Sequence, residues 1–182
     1  VASVPVLGAF NVANLAAVIG CLCAVGYDAS AISEAIATLR PVPGRMQRVT
    51  SRGERGPLVV VDYAHTPDAL EKALSTLRNI GGSGALHVVF GCGGNRDAGK
   101  RPIMGGIASR VADHVWVTSD NPRFEAPRTI IDQIIAGISS DNRNRTNVCL
   151  DRAQAIASAI AKATEDDIVL IAGKGHETYQ EI

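Results

Sequence analysis

The stretch Leu58-Val-Val-Val-Asp62 is apolar at four consecutive positions and ends on a carboxylate. A strand apolar on both faces belongs inside a sheet that is covered on both sides. The same texture returns in Leu86-His-Val-Val-Phe90, Val115-Trp-Val-Thr118, Asn147-Val-Cys-Leu150 and Asp167-Ile-Val-Leu-Ile-Ala172. Between these runs the pattern predicts helices over Pro67–Asn79, Pro102–Val111, Pro127–Ile138 and Arg152–Thr164. Strands alternating with helices imply a doubly wound, mostly parallel α/β sheet from about residue 42 onward.

Upstream the texture differs. Asn11 to Val25 is rich in Ala, Leu and Val, and Gly26 is a natural helix stop. Asp28 opens a second helix that ends before Pro41. The segment Pro41-Val-Pro-Gly-Arg45 is a linker signature, so the boundary is placed there, with residues 1–41 and 42–182 as separate units.

Composition narrows the classes. Of 182 residues, 46% are hydrophobic, enough for a substantial core, and 18 basic side chains balance 18 acidic ones. A neutral chain lacks the long-range field that holds nucleic acid or an anionic membrane, so neither is expected as a partner. No apolar run is long enough to span a bilayer. The start, Val1-Ala-Ser-Val-Pro5, lacks a signal-peptide pattern and reads like the middle of something longer. Cys21, Cys23, Cys92 and Cys149 form no C-x-x-C pair and sit in apolar segments, so each is expected to be buried. That usage suits a reducing cytoplasm.

Ligands of open α/β sheets bind outside the carboxyl ends of the strands. Four such ends carry chemically loaded loops: Asp62-Tyr-Ala-His65, Gly91-Cys-Gly-Gly-Asn-Arg96, Ser119-Asp-Asn-Pro-Arg123 and Gly173-Lys-Gly-His-Glu177. Gly94 to Lys100 fits G-x-x-x-x-G-K, but Arg101 stands where a magnesium-binding hydroxyl belongs, which argues against a true phosphate-binding loop. Its glycines would still let backbone approach a ligand closely. Arg96 is either a solvated loop arginine or a ligand-facing one. In Asp120-Asn-Pro-Arg123, Pro122 stiffens the loop and directs Arg123, which suits a bidentate grip on a carboxylate, helped by the helix N-terminus near Pro127. A plain helix-entry turn with Asp120 as cap accounts for the pattern equally well. Glu177 suits an ammonium group, the alternative for Gly173 to Glu177 being a flexible loop with solvated charges, and Asp62 suits ribose hydroxyls. Asp62 and His65 could suggest hydrolase chemistry, but no G-x-S-x-G elbow occurs. His87 and His114 read as satisfied structural residues.

Six motifs in one order resemble the Mur ligases. They are Gly8-Ala-Phe-Asn-Val-Ala-Asn14, Gly44-Arg-Met46, Asp62-Tyr-Ala-His-Thr-Pro-Asp68, Gly91 to Asp97 with Lys100-Arg-Pro102, Asp120 to Arg123, and Gly173 to Glu177. The resemblance implies that residues 1–41 close a central ATP-binding domain and that 42–182 form most of a C-terminal Rossmann-like domain, truncated at its end. It implies that Arg96, Asp120, Asn121, Pro122, Arg123, Gly173 and Glu177 bind meso-diaminopimelate. Arg123 would hold the distal carboxylate and Glu177 the distal ammonium. It places Asn14 at adenine, aided by Asn11, and Arg45 and Asp62 at the phosphates and ribose of ATP. Mg2+, the catalytic residues and any metal ligands would lie outside this chain. A monomer is expected, with UDP-MurNAc-L-Ala-D-Glu as co-substrate, and the chain alone is expected to be inactive. Rival readings are a folylpolyglutamate synthetase or another peptidoglycan ligase, and a stand-alone binding module.

Overall fold

A computed structural model describes residues 7–49 and 56–181; Val1 to Pro5 and Ile182 fall outside them. Two helices come first, α1 (Ala9–Ala24) and α2 (Ala29–Ala37). Asp28 caps α2 by accepting from the N–H groups of Ser30 and Ala31 at 2.9 Å. The rest is β1 (Gln47–Val49), β2 (Leu58–Asp62), α3 (Pro67–Ile80), β3 (Leu86–Phe90), α4 (Lys100–Val111), β4 (His114–Thr118), α5 (Pro127–Ala136), a 3-10 turn (Ser140–Arg145), β5 (Thr146–Cys149), α6 (Arg152–Lys162) and β6 (Ile168–Ala172).

The strands form one sheet in the order β1-β2-β6-β3-β4-β5, parallel except for β1, which pairs antiparallel with β2. This is the expected mostly parallel α/β sheet, and every predicted strand and helix of it is present to within a few residues. Two elements were not anticipated. β1 is a three-residue edge strand of sequence Gln-Arg-Val, too short and polar to register as a strand. The 3-10 turn lies in a polar segment, Ser-Asp-Asn-Arg-Asn-Arg.

α3 shows how the helices attach. Thr66 caps it and Pro67 opens it, and Leu70, Ala73, Leu74 and Leu77 recur at helical spacing on its inner face. The three leucines are fully buried, each contributing roughly 2 kcal/mol relative to exposure. The main core joins α3, α4 and α5 to one sheet face through Val60, Val88, Phe90, Val115, Val117 and Leu170. The opposite face is covered by α6, with Ala155 and Ala159 against Val89 and Val169, and Trp116 and Val59 only partly buried there.

By contrast, α1 has no buried residue among those described and leaves Phe10, Val12 and Val18 exposed. This corrects the cysteine expectation. Cys21 and Cys23 are exposed on α1, Cys149 is half-buried, and only Cys92 is buried, its thiol pushed up to about 11 by desolvation. All four are free thiols.

The histidine expectation also needs revision. His87 and His114 stack with ring centroids 4.6 Å apart at the amino end of β3 and β4. Neither nitrogen of His87 has a hydrogen-bond partner, nor does Nδ1 of His114; the nearest acid, Asp167, stands 3.6 Å from His87 Nε2. Burial lowers the proton affinity of both rings. They are structural, but not satisfied.

Candidate functional site

The carboxyl ends of β2, β3, β4 and β6 surround a cavity of about 560 Å³. Arg96, Asp120, Asn121, Arg123, Gly173 and Glu177 all line it, so residues from three separate loops converge as the sequence suggested. Pro122 does not. It is buried, and it borders a separate depression on the far side of its loop with Pro127 and Arg152. The N-terminus of α5 opens toward that depression rather than into the cavity, so it adds nothing to an anion site there.

Pro122 works by packing. A Cβ on Gly94 would lie 1.8 Å from the Pro122 carbonyl oxygen, so only glycine lets the two loops touch, and the Gly94 N–H donates to Asn121 O at 2.9 Å. The glycine therefore admits a neighbouring loop, not a ligand as the sequence suggested. Arg123 adopts φ 52°, a left-handed conformation unfavourable for a long side chain. Its Nη1 donates to Gly94 O at 2.9 Å and Asn121 O at 3.4 Å. Nε and Nη2 make no hydrogen bond among the described residues, which leaves one edge of the guanidinium open for a bidentate acceptor.

An ion pair between a buried arginine and a partly exposed glutamate laces these loops. Arg101 Nη1 and Nη2 donate to the two carboxylate oxygens of Glu125 at 2.8 and 2.9 Å, and also reach Gln133 and Gly93 O. Glu125 in turn accepts from Asn95 N, while Asn95 Oδ1 accepts from Phe124 N at 3.0 Å. The Arg101 hydrogen bonds, with that of Asn95 N, pull the Glu125 carboxyl down to about 2. In the sequence Arg101 signified only a missing hydroxyl. It is completely buried, and it holds the Gly93–Asn95 and Arg123–Glu125 segments together.

Lys174 was also missed. Its ammonium stands 3.0 Å from Asn121 Oδ1, 3.4 Å from Asp120 Oδ1, 3.4 Å from Glu177 Oε2 and 3.0 Å from Tyr179 O. Asp120 does not cap α5, whose first turn begins after Ala126; its Oδ1 instead accepts from Asn121 N at 2.7 Å. Across the cavity, Lys100 donates to His65 O at 2.7 Å, and the His65 ring meets Tyr63 edge-on at 4.6 Å. His65 thus lines this cavity.

A second cavity of about 300 Å³ brings together Asn11, Asn14 and Arg45, with Leu15 and Val18 as apolar lining. Asn11 donates to Leu7 O at 2.7 Å, and Arg45 lies over the Tyr63 ring at 4.5 Å, so Tyr63 separates the two cavities. Asp62 lines neither. Its two oxygens accept from Met46 N at 2.7 Å and Ala64 N at 2.8 Å. In this structure it fastens the Gly44–Met46 turn, which carries Arg45, to the end of β2. Of the residues expected at a nucleotide, Asn11, Asn14 and Arg45 meet in this cavity, and Asp62 lies outside it.

An open α/β sheet with a mixed-charge cavity at its carboxyl ends is the ligand-site arrangement of doubly wound α/β domains. Residues 44–175 match the Mur ligase, glutamate ligase domain, and the chain belongs to that family. A curated relative from Acidovorax sp. (strain JS42), UDP-N-acetylmuramoyl-L-alanyl-D-glutamate--2,6-diaminopimelate ligase, is 55% identical over 97% of this chain. The chain spans 35% of that relative's length. A solved structure of a ligase of the same name is 45% identical with a TM-score of 0.74, covering 100% of this chain and 36% of that one. A bifunctional folylpolyglutamate synthase/dihydrofolate synthase from Yersinia pestis, complexed with AMPPNP and Mn ion, has a TM-score of 0.69 at 22% identity, covering 94% of this chain and 38% of that one. That likeness is of the fold alone. No described helix is long and apolar enough to cross a membrane.

Proposed function

We propose that this chain is the C-terminal part of an ATP-dependent ligase that joins meso-diaminopimelate to UDP-MurNAc-L-Ala-D-Glu in cytoplasmic peptidoglycan synthesis, and so serves cell shape and division. Residues 1–41 end a central ATP-binding domain, and residues 42–182 form the amino-acid-binding domain. The observation that carries this reading is Arg123, held with one guanidinium edge free beside Asp120 and Glu177 in a single cavity. The names and identities of the relatives support the substrate.

The reaction activates a carboxylate as an acyl phosphate, which the amine of the incoming amino acid then attacks. This chain's share is to fix that amine by binding the far end of its molecule. Arg123 takes the distal carboxylate, with Arg96 adding positive charge. Glu177 and Asp120 take the distal ammonium. Lysine offers no distal carboxylate, so it would leave the Arg123 edge without a partner. Asn14 and Arg45, which line one cavity with Leu15 and Val18, fit adenine and phosphate respectively. Mg2+, held by residues outside this chain, screens the phosphate charge when bound.

The intact protein, given ATP, UDP-MurNAc-L-Ala-D-Glu and meso-diaminopimelate, should yield the tripeptide with ADP and phosphate. Absence of amide product with all three present would refute the proposal.

A further inference from the structure

We infer that Lys174 is a specificity-determining positioning residue of the amino-acid cavity, fixing the orientation and net charge of the Asp120–Glu177 pair. The inference rests on the reading of that cavity given above. Three observations carry it. First, Lys174 does not line the cavity. It lies directly behind the wall that Asp120, Asn121, Glu177 and Tyr179 form, all four of which do line it. Second, its single ammonium meets an oxygen of each of those four residues within 3.4 Å, joining the loop after β4 to the loop after β6. Third, it engages one oxygen of each carboxylate and leaves the other. Asp120 Oδ2 borders Gly173, and neither it nor Glu177 Oε1 makes a hydrogen bond among the described residues. Lys174, joined at Asp120 by the Asn121 N–H, therefore holds each carboxylate with one oxygen engaged and the other free to face the ligand.

Charge makes the arrangement selective. The side chains of Lys174, Asp120 and Glu177 are only 12%, 13% and 23% exposed, so their mutual field is weakly screened. At the wall itself two carboxylates and one ammonium sum to one negative charge, with the Arg152 guanidinium buried behind both acids, a match for one ligand ammonium beside a ligand carboxylate bound to Arg123. Without Lys174 the wall carries two negative charges. They repel each other and the distal carboxylate of diaminopimelate, and they favour a ligand that ends in an ammonium alone.

The test uses the intact ligase with Lys174→Met, and Lys174→Gln should the methionine variant not fold. KM is measured separately for meso-diaminopimelate, ATP and the UDP-linked dipeptide. We expect KM for diaminopimelate to rise on the order of tenfold or more. KM for ATP and kcat at saturating amino acid should change less than about twofold. Preference for diaminopimelate over L-lysine should fall by roughly tenfold. Lys174→Arg, which keeps the charge, should recover most of the loss. An unchanged KM for diaminopimelate overturns the inference, as does a loss spread evenly over all three substrates and kcat. If the wild type selects diaminopimelate and these variants do too, the inference alone fails. If the wild type does not ligate diaminopimelate, the reading of the cavity fails with it.

Discussion

The two ends of the parallel sheet use the same residue types for opposite ends. At the amino end, Asp113 accepts from Leu86 N and Arg78, and Asp167 accepts from Ala85 N and Thr164 N. Those bonds outweigh burial and hold both carboxyls below their ordinary range. Asp167 uses both oxygens on backbone, Asp113 shares one oxygen between Leu86 N and Arg78, and neither forms a hydrogen bond to the stacked His87 and His114. At the carboxyl end, three charged side chains are anchored through part of their hydrogen-bonding capacity, and the remainder faces a cavity. Arg123, Asp120 and Glu177 all follow that rule. Spare capacity directed into a cavity, more than charge or burial, distinguishes binding groups from structural ones.

The comparison is broken most severely at Arg123. Arg123→Ala in the intact enzyme should reduce the preference for diaminopimelate over lysine on the order of a hundredfold, because a charged hydrogen-bonding partner is lost from one ligand only. Competition kinetics with both amino acids read this directly. Gly94→Ala comes next. Its Cβ cannot coexist with the Pro122 carbonyl, so the two loops must separate at a cost of about 1–3 kcal/mol. Thermal melting should fall, and KM for diaminopimelate should rise in step.

Acid sharpens the contrast. Burial lowers the proton affinity of both amino-end histidines in the folded chain, so the unfolded chain binds more protons as pH drops below about 6.5. Stability should therefore decline from that pH downward. Asp113 and Asp167, whose contribution is present above about pH 4, should add a second loss below it. Replacing His87 by Phe should flatten the first limb in a series of melts against pH. The smallest effect belongs to the surface. Lys72 and Asp68 form an exposed i,i+4 pair at 2.9 Å, and Lys72→Ala should change stability by less than about 0.5 kcal/mol.

Much of this molecule was legible in its sequence because runs such as Leu58–Val61 and Ile168–Ala172 are apolar on both faces. Strand order was not. β6, last in the chain, inserts between β2 and β3, and nothing local to Ile168–Ala172 specifies its neighbours. Gln47–Val49 becomes a strand only by pairing with β2, a long-range cause. At the site, Arg123 and Glu177 stand on loops the sequence marked as chemically loaded, and the fold brings both to one cavity. Arg101 and Lys174 could not be read from the sequence, because their roles depend on Glu125 and on Asp120 and Asn121, which are distant in sequence. Cys21 and Cys23 misled because α1 is apolar yet exposed; apolar neighbours in sequence do not supply packing partners in space.

The most direct test of the central claim, that the carboxyl-end cavity recognises an amino acid by a zwitterionic far end, is the ratio of kcat/KM for meso-diaminopimelate to that for L-lysine in the intact wild-type enzyme. The arrangement of Arg123 opposite Asp120 and Glu177 predicts a ratio well above a hundred. A ratio near one, or a preference for lysine, would contradict it.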